Sequence, residues 1–155
     1  KSVVFHIVSG PAIEGSNLLL DLAKKNDKRM VIHHNILKMN DFLKNIDLAI
    51  SSIGVVAFEI ASMGIPAIHV TGVEKELETG LSMDELGVSI FLGMYEKLDP
   101  NQLSDTILML INNGVLRSQM RGECLNNFNT NTTKKLIESI LFSKSFKQKE
   151  EYESC

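Results

Sequence analysis

Glu59 is the one ionisable side chain between Gly54 and Gly64, set among Val55, Val56, Ala57, Phe58, Ile60, Ala61 and Met63. A carboxylate in so apolar a stretch must reach solvent, pair, or serve a ligand. Ahead of it runs Ser51-Ser52-Ile53-Gly54-Val55, small residues of the kind that let backbone N–H groups approach a phosphate where a strand turns into a helix. The N-terminus of that helix would carry about half a unit of positive charge, enough to hold an anion. Glu59 would then sit about one and a half turns in, where it can accept hydrogen bonds from a sugar diol such as ribose. Two plainer accounts stay open at this level. Gly54 also suits a tight turn on steric grounds alone, and Glu59 can simply face solvent on a half-buried helix.

Further candidates follow the other strands. Ser9-Gly10-Pro11 with Gly15-Ser16 makes a turn after the first strand, but it lacks the GxGxxG spacing, so no nicotinamide or flavin role follows. His33-His34-Asn35 follows the second strand, at the same sheet edge as the two turns, and is placed to flank a base or a phosphate. Adjacent histidines in a strand point to opposite faces, which argues against a shared metal. Thr71-Gly72-Val73-Glu74, with Glu76 beyond it, follows the fourth strand. A charge run there is as readily a solvated helix face. His6 and His69 fall within strands and read as core or sheet-end residues. No HExxH, CxxC or GxSxG pattern occurs, so no catalytic base, metal or cofactor is expected in this chain.

The elements that would position these residues alternate regularly. Val3–Val8, Arg29–His33, Asp47–Ser51, Pro66–Val70 and Val88–Leu92 are short, apolar and rich in β-branched residues, as strands covered on both faces must be. Helices are expected over Asn17–Lys25, Met39–Asn45, Val55–Met63, Glu74–Leu86 (interrupted by Gly80), Asp99–Ile111, Val115–Phe128 and Thr132–Phe142. Asp99-Pro100 is a helix start, with Asp as cap and Pro in the first turn. Alternating strands and helices with short links imply right-handed βαβ units. The expected class is α/β, a Rossmann-like open, mainly parallel sheet with helices on both faces. Residues 1–146 are read as one domain and 147–155 as a tail with no core face.

Composition fits this class. The chain has 155 residues, 44% apolar and 23% charged, enough to bury a core and too apolar for disorder. Sixteen Lys and Arg against nineteen Asp and Glu, a formal charge of −3, argue against nucleic acid as the main partner. No apolar run approaches the roughly 18 residues of a membrane-spanning helix. Cys124 and Cys155 make no disulfide framework, so a reducing cytoplasm is the expected compartment.

The stretch DLAISSIGVVAFEIASMGIPAIHV, Asp47 to Val70, resembles the donor-side motif of the GT-B superfamily. It is most similar to the nucleotide-sugar hydrolases and transferases of pseudaminic acid and spore-coat polysaccharide synthesis. The resemblance rests on Asp47-Leu48-Ala49-Ile50, Gly54, Glu59 and Gly64-Ile65-Pro66, with Gly87–Gly93 and the Ser9-Gly10 turn as further elements. It covers Val3 to about Phe128, the C-terminal half of such an enzyme. It implies that Ser52, Ile53, Gly54 and Val55 receive a diphosphate and that Glu59 binds the ribose. His33 and His34 would approach the base, and Thr71 and Glu76 the sugar. The implied ligand is a nucleotide sugar, UDP-linked by preference. An N-terminal domain absent from this chain would supply the acceptor side and the general base; a start at Lys1 is what a piece of a longer protein would show. The chain departs from the family in having Ile53-Gly54-Val55-Val56 where a second Gly and a hydroxyl are common. It also carries Glu74-Lys75-Glu76-Leu77-Glu78 where Asn and Gln are usual. Those departures suit the alternative of a non-catalytic module or subunit that pairs with a separate acceptor-binding chain.

Overall fold

The computed structural model describes residues 3–10, 21, 24–25 and 29–128. Contacts divide the chain into two compact units, Lys1–Asn45 and Ile46–Cys155. In the first, strands β1 (Phe5–Ser9) and β2 (Met30–His34) pair in parallel, with Phe5 opposite Met30 and Ser9 opposite His34. Helix α1 (Met39–Leu43) follows. In the second, β3 (Ala49–Ser52), β4 (Ala67–Thr71) and β5 (Ser89–Met94) form a parallel sheet in that order. Helices α2 (Val55–Ser62), α3 (Leu77–Glu85), α4 (Pro100–Asn112) and α5 (Gly114–Asn127) alternate with or follow these strands. A short 3-10 turn, Glu74–Glu76, leads into α3. The fold is therefore α/β with small parallel sheets and helices, the Rossmann-like arrangement expected from the strand–helix rhythm. All five strands lie within two residues of their expected bounds. The expected helices over 17–25 and 132–142 and the expected tail over 147–155 fall outside the described residues, apart from positions 21, 24 and 25.

Alternation along the strands sorts the three-stranded sheet into two differently covered faces. Ile68 and Ile90 point to one face, where Leu103, Ile107 and Leu110 of α4 pack with Met120 of α5. The other face carries Ala49, Ala67, His69 and Phe91. Above it Ala57 and Ala61 of α2, Met83 of α3 and Cys124 of α5 close a second apolar cluster. Helix α5 thus contributes to both cores.

Local chemistry accounts for the helix boundaries. The Asp99 carboxylate accepts a hydrogen bond from the Asn101 N–H at 2.9 Å, with Pro100 in the first turn, as the Asp-Pro pair requires. Gly64 ends α2 in a left-handed conformation, φ 70°, which a residue with a Cβ adopts reluctantly. Helix α3 is not interrupted at Gly80. A Cβ there would lie 2.5 Å from the Phe91 ring, so this glycine lets α3 settle onto β5, and Asp84 Oδ1 accepts the Phe91 N–H at 3.0 Å beside it. The residue that looked like a breaker serves close packing instead.

Candidate functional site

The turn from β3 into α2 is built around spare donors. The Ile53 N–H extends the ladder by donating to the Val70 carbonyl at 3.0 Å, and the Ile53 side chain is buried in the apolar cluster. Ile53 thus anchors the turn, and neither its amide nor its side chain remains for a ligand. Gly54 follows in extended backbone, and its carbonyl accepts the Ala57 N–H at 3.1 Å. No side chain caps α2, so its first amides keep the unmet hydrogen-bonding capacity of any helix start. The space around Gly54 is open, with nothing within 4 Å of where a Cβ would stand. Ser52 at the end of β3 is exposed, and the Val55 side chain in the first turn is 77% exposed. An uncapped helix start with room above it, at the carboxyl end of a parallel strand, is an anion-receptive arrangement.

Glu59 lies further along α2, half-buried. Ser62 Oγ donates to its backbone carbonyl at 2.8 Å, but its carboxylate has no hydrogen-bond or ion-pair partner among the described residues. Residues after β4 behave differently. Thr71 is fully buried, and its hydroxyl donates to Glu76 Oε2 at 2.6 Å while accepting the Val73 N–H at 3.1 Å. Thr71 and Glu76 are thus brought together, across a spacing of five made short by the 3-10 turn. Their bond closes the loop on itself and engages the threonine proton.

In the first unit, Ser9 is buried at the end of β1, opposite His34 in the parallel register, and the Ser9 carbonyl accepts the Asn35 N–H at 3.4 Å. Gly10 continues the turn, exposed and with open space at its Cα. His33 and His34 do not act as a pair. His34 is exposed, whereas His33 Nε2 lies 2.9 Å from His6 Nδ1, with the Phe42 ring edge-on to both imidazoles. The His6 and His33 rings are 20° from parallel with centroids 5.2 Å apart. So short a nitrogen–nitrogen distance means that they meet edge to edge rather than face to face, joined by one N–H···N bond.

Sequence reading missed one polar contact beneath the turn. His69, 1% exposed in β4, places Nδ1 at 3.1 Å from Ser51 Oγ and 3.4 Å from the Ser51 carbonyl. Ser51 Oγ donates to the Ser52 carbonyl at 3.0 Å. Its proton is thereby taken, which makes Nδ1–H of His69 the donor and leaves Nε2 a bare acceptor. That atom and Ser89 Oγ are buried without partners among the described residues. Burial pushes the His69 imidazole below its usual range, opposed by its bond to the Ser51 carbonyl. The pair therefore clips β3 to β4 and lacks the proton path of a nucleophile and its base. The register Ser51 opposite His69 is a tertiary fact, and no local motif announces it.

Among the described residues no three His, Cys, Asp or Glu side chains converge as a metal site. No helix among them is long and apolar enough to cross a membrane. The fold defines a Rossmann-like α/β protein, and the turn at the carboxyl end of β3 leaves the start of α2 without a side-chain cap. No protein-family model matches the chain, and no curated protein matches it either.

Proposed function

We propose that this chain is the nucleotide-sugar-binding half of a GT-B-like hydrolase or glycosyltransferase of surface-polysaccharide or nonulosonic acid synthesis. The observation that carries the reading is the pairing of an uncapped α2 with a Glu59 carboxylate that has no partner among the described residues, on the same helix. The first amides of α2 and the helix dipole receive the diphosphate of a UDP-sugar, and Glu59 accepts from the ribose hydroxyls. Charge developing on the departing diphosphate is stabilised at the same place. No side chain of this chain serves as the base. A separate N-terminal domain or subunit provides it, and the chain alone turns nothing over. Such enzymes act on cytoplasmic nucleotide sugars, so the cytoplasm is the proposed compartment.

Thermal unfolding with UDP, UMP, CMP and UDP-N-acetylhexosamines tests the reading. Ligand at 100 times its dissociation constant adds about 2.7 kcal/mol to stability. Glu59→Ala should weaken UDP by about 1–3 kcal/mol through the lost charge-assisted bonds. No stabilisation by any nucleotide at millimolar concentration refutes the donor-site reading. One observation favours a second reading, the non-catalytic module. Val55 and Phe58 leave apolar surface exposed on α2, beside the turn, as a helix that packs against a partner chain would. Nucleotide indifference together with a stable complex with an acceptor-binding chain is its signature.

A further inference from the structure

At the opposite end of the three-stranded sheet, where β3 and β4 begin, lies an open cleft of about 170 Å³ lined by Asp47, Gly64, Pro66, Arg117, Ser118 and Arg121. Arg117 and Arg121 stand four residues apart on α5 and so share one face of it. Both guanidinium groups are held through a single nitrogen. Nη1 of Arg117 donates to the carbonyls of Leu110 and Ile111 in the last turn of α4, and Nη1 of Arg121 reaches the Gly64 carbonyl at 3.4 Å. Neither has a carboxylate within 4.0 Å among the described residues, and Asp47, exposed in the same cleft, pairs with neither. Among the described residues Nε and Nη2 of both arginines make no hydrogen bond, and both side chains line the cleft, with Ser118 between them in sequence.

We infer that this cleft binds a phosphomonoester group, its oxygens bridging Arg117 and Arg121 with Ser118 as a further donor. Guanidinium forks match the spacing of phosphate oxygens, and prior tethering reduces the entropy lost on binding. Size is compatible with this class: an open cleft of about 170 Å³ accommodates a phosphate and its ester carbon, with the rest of the ester extending into solvent. Asp47 disfavours a second negative group and suits a ligand with a hydroxyl beside the phosphate.

Inorganic phosphate is the probe, titrated into the full chain by calorimetry at constant ionic strength, with chloride as the control anion. Saturable binding is expected. Arg121→Gln, which removes an exposed side chain holding one long bond, should weaken it about tenfold, the loss of one charge-assisted contact. Asp47→Asn keeps the fold independently of α5 and should tighten it severalfold by removing the opposing charge. Phosphate heats indistinguishable from chloride overturn the inference, as does binding unchanged in both variants. UDP affinity should respond to Glu59→Ala and be indifferent to Arg121→Gln, so failure at one end of the sheet is separable from failure at the other.

Discussion

Replacing His69 by Gln should flatten the acid side of the stability profile. The imidazole is buried, its Nδ1 bonded at Ser51 and its Nε2 without a partner among the described residues. No carboxylate among those residues hydrogen-bonds it, and desolvation lowers its proton affinity in the folded chain. In the unfolded chain it takes up a proton around the ordinary histidine value of 6.5. The unfolded state therefore binds more protons below that pH. Its contribution to stability is complete above 6.5 and declines as pH falls, with a limiting slope of about 1.4 kcal/mol per pH unit. Integrated from pH 7 to 5.5, a fully neutral folded imidazole gives a loss of at most about 1.3 kcal/mol. Urea titrations at half-unit pH intervals, followed by circular dichroism, would read this as a midpoint shift of about 0.6 M for a slope near 2 kcal/mol/M. His69→Gln keeps size and polarity without titrating there. Its absolute stability can fall, but its pH dependence should be shallower by up to that amount. Equal slopes in the two proteins would show that His69 is protonated as easily folded as unfolded, and the account of its burial would be wrong.

Two further expectations concern packing. Gly80→Ala gains about 1 kcal/mol of helix propensity, yet the new methyl meets the Phe91 ring at 2.5 Å. A net destabilisation of about 1–2 kcal/mol is expected from such overpacking, relieved when Phe91→Leu is added. Strictly additive single and double mutants would sink the steric explanation. Burial pushes the Cys124 thiol up to about 11, so in a Cys155→Ser background native protein at pH 8 should label with a disulfide reagent only as fast as it unfolds. Prompt labelling of the native protein would contradict that burial.

What the amino-acid sequence disclosed and withheld follows from the range of the forces involved. Strands such as Ala67–Thr71 were legible because both faces are covered and nearly every side chain must be apolar or small. Asp99-Pro100 was legible because capping is local. Gly80 was misread because its reason is a ring eleven positions away on β5. Ile53 entered the diphosphate turn through the GT-B resemblance, whereas the sheet ladder takes its amide and the core its side chain. The Ser51–His69 clip and the two tethered arginines depend on strand register and on where α4 ends. Glu59 stood out as a charge among apolar residues, and its carboxylate is still without a partner among the described residues.

The clasp made by α5 bears on how the second unit comes into being. Cys124 Sγ lies against the carbonyls of Ile65 and Val88, and Arg121 reaches Gly64, so the amino ends of β4 and β5 are closed by residues up to 59 positions later. A chain emerging from the ribosome as far as α4 has all three strands and no lid for the Ala57–Ala61–Met83 layer. Contacts of that sequence separation are slow to form, and unfinished parallel sheets expose apolar surface while they wait. Helix α5 therefore supplies contacts that complete the core of this unit, and until residues 114–127 are in place the Ala57–Ala61–Met83 layer is without its Cys124 neighbour.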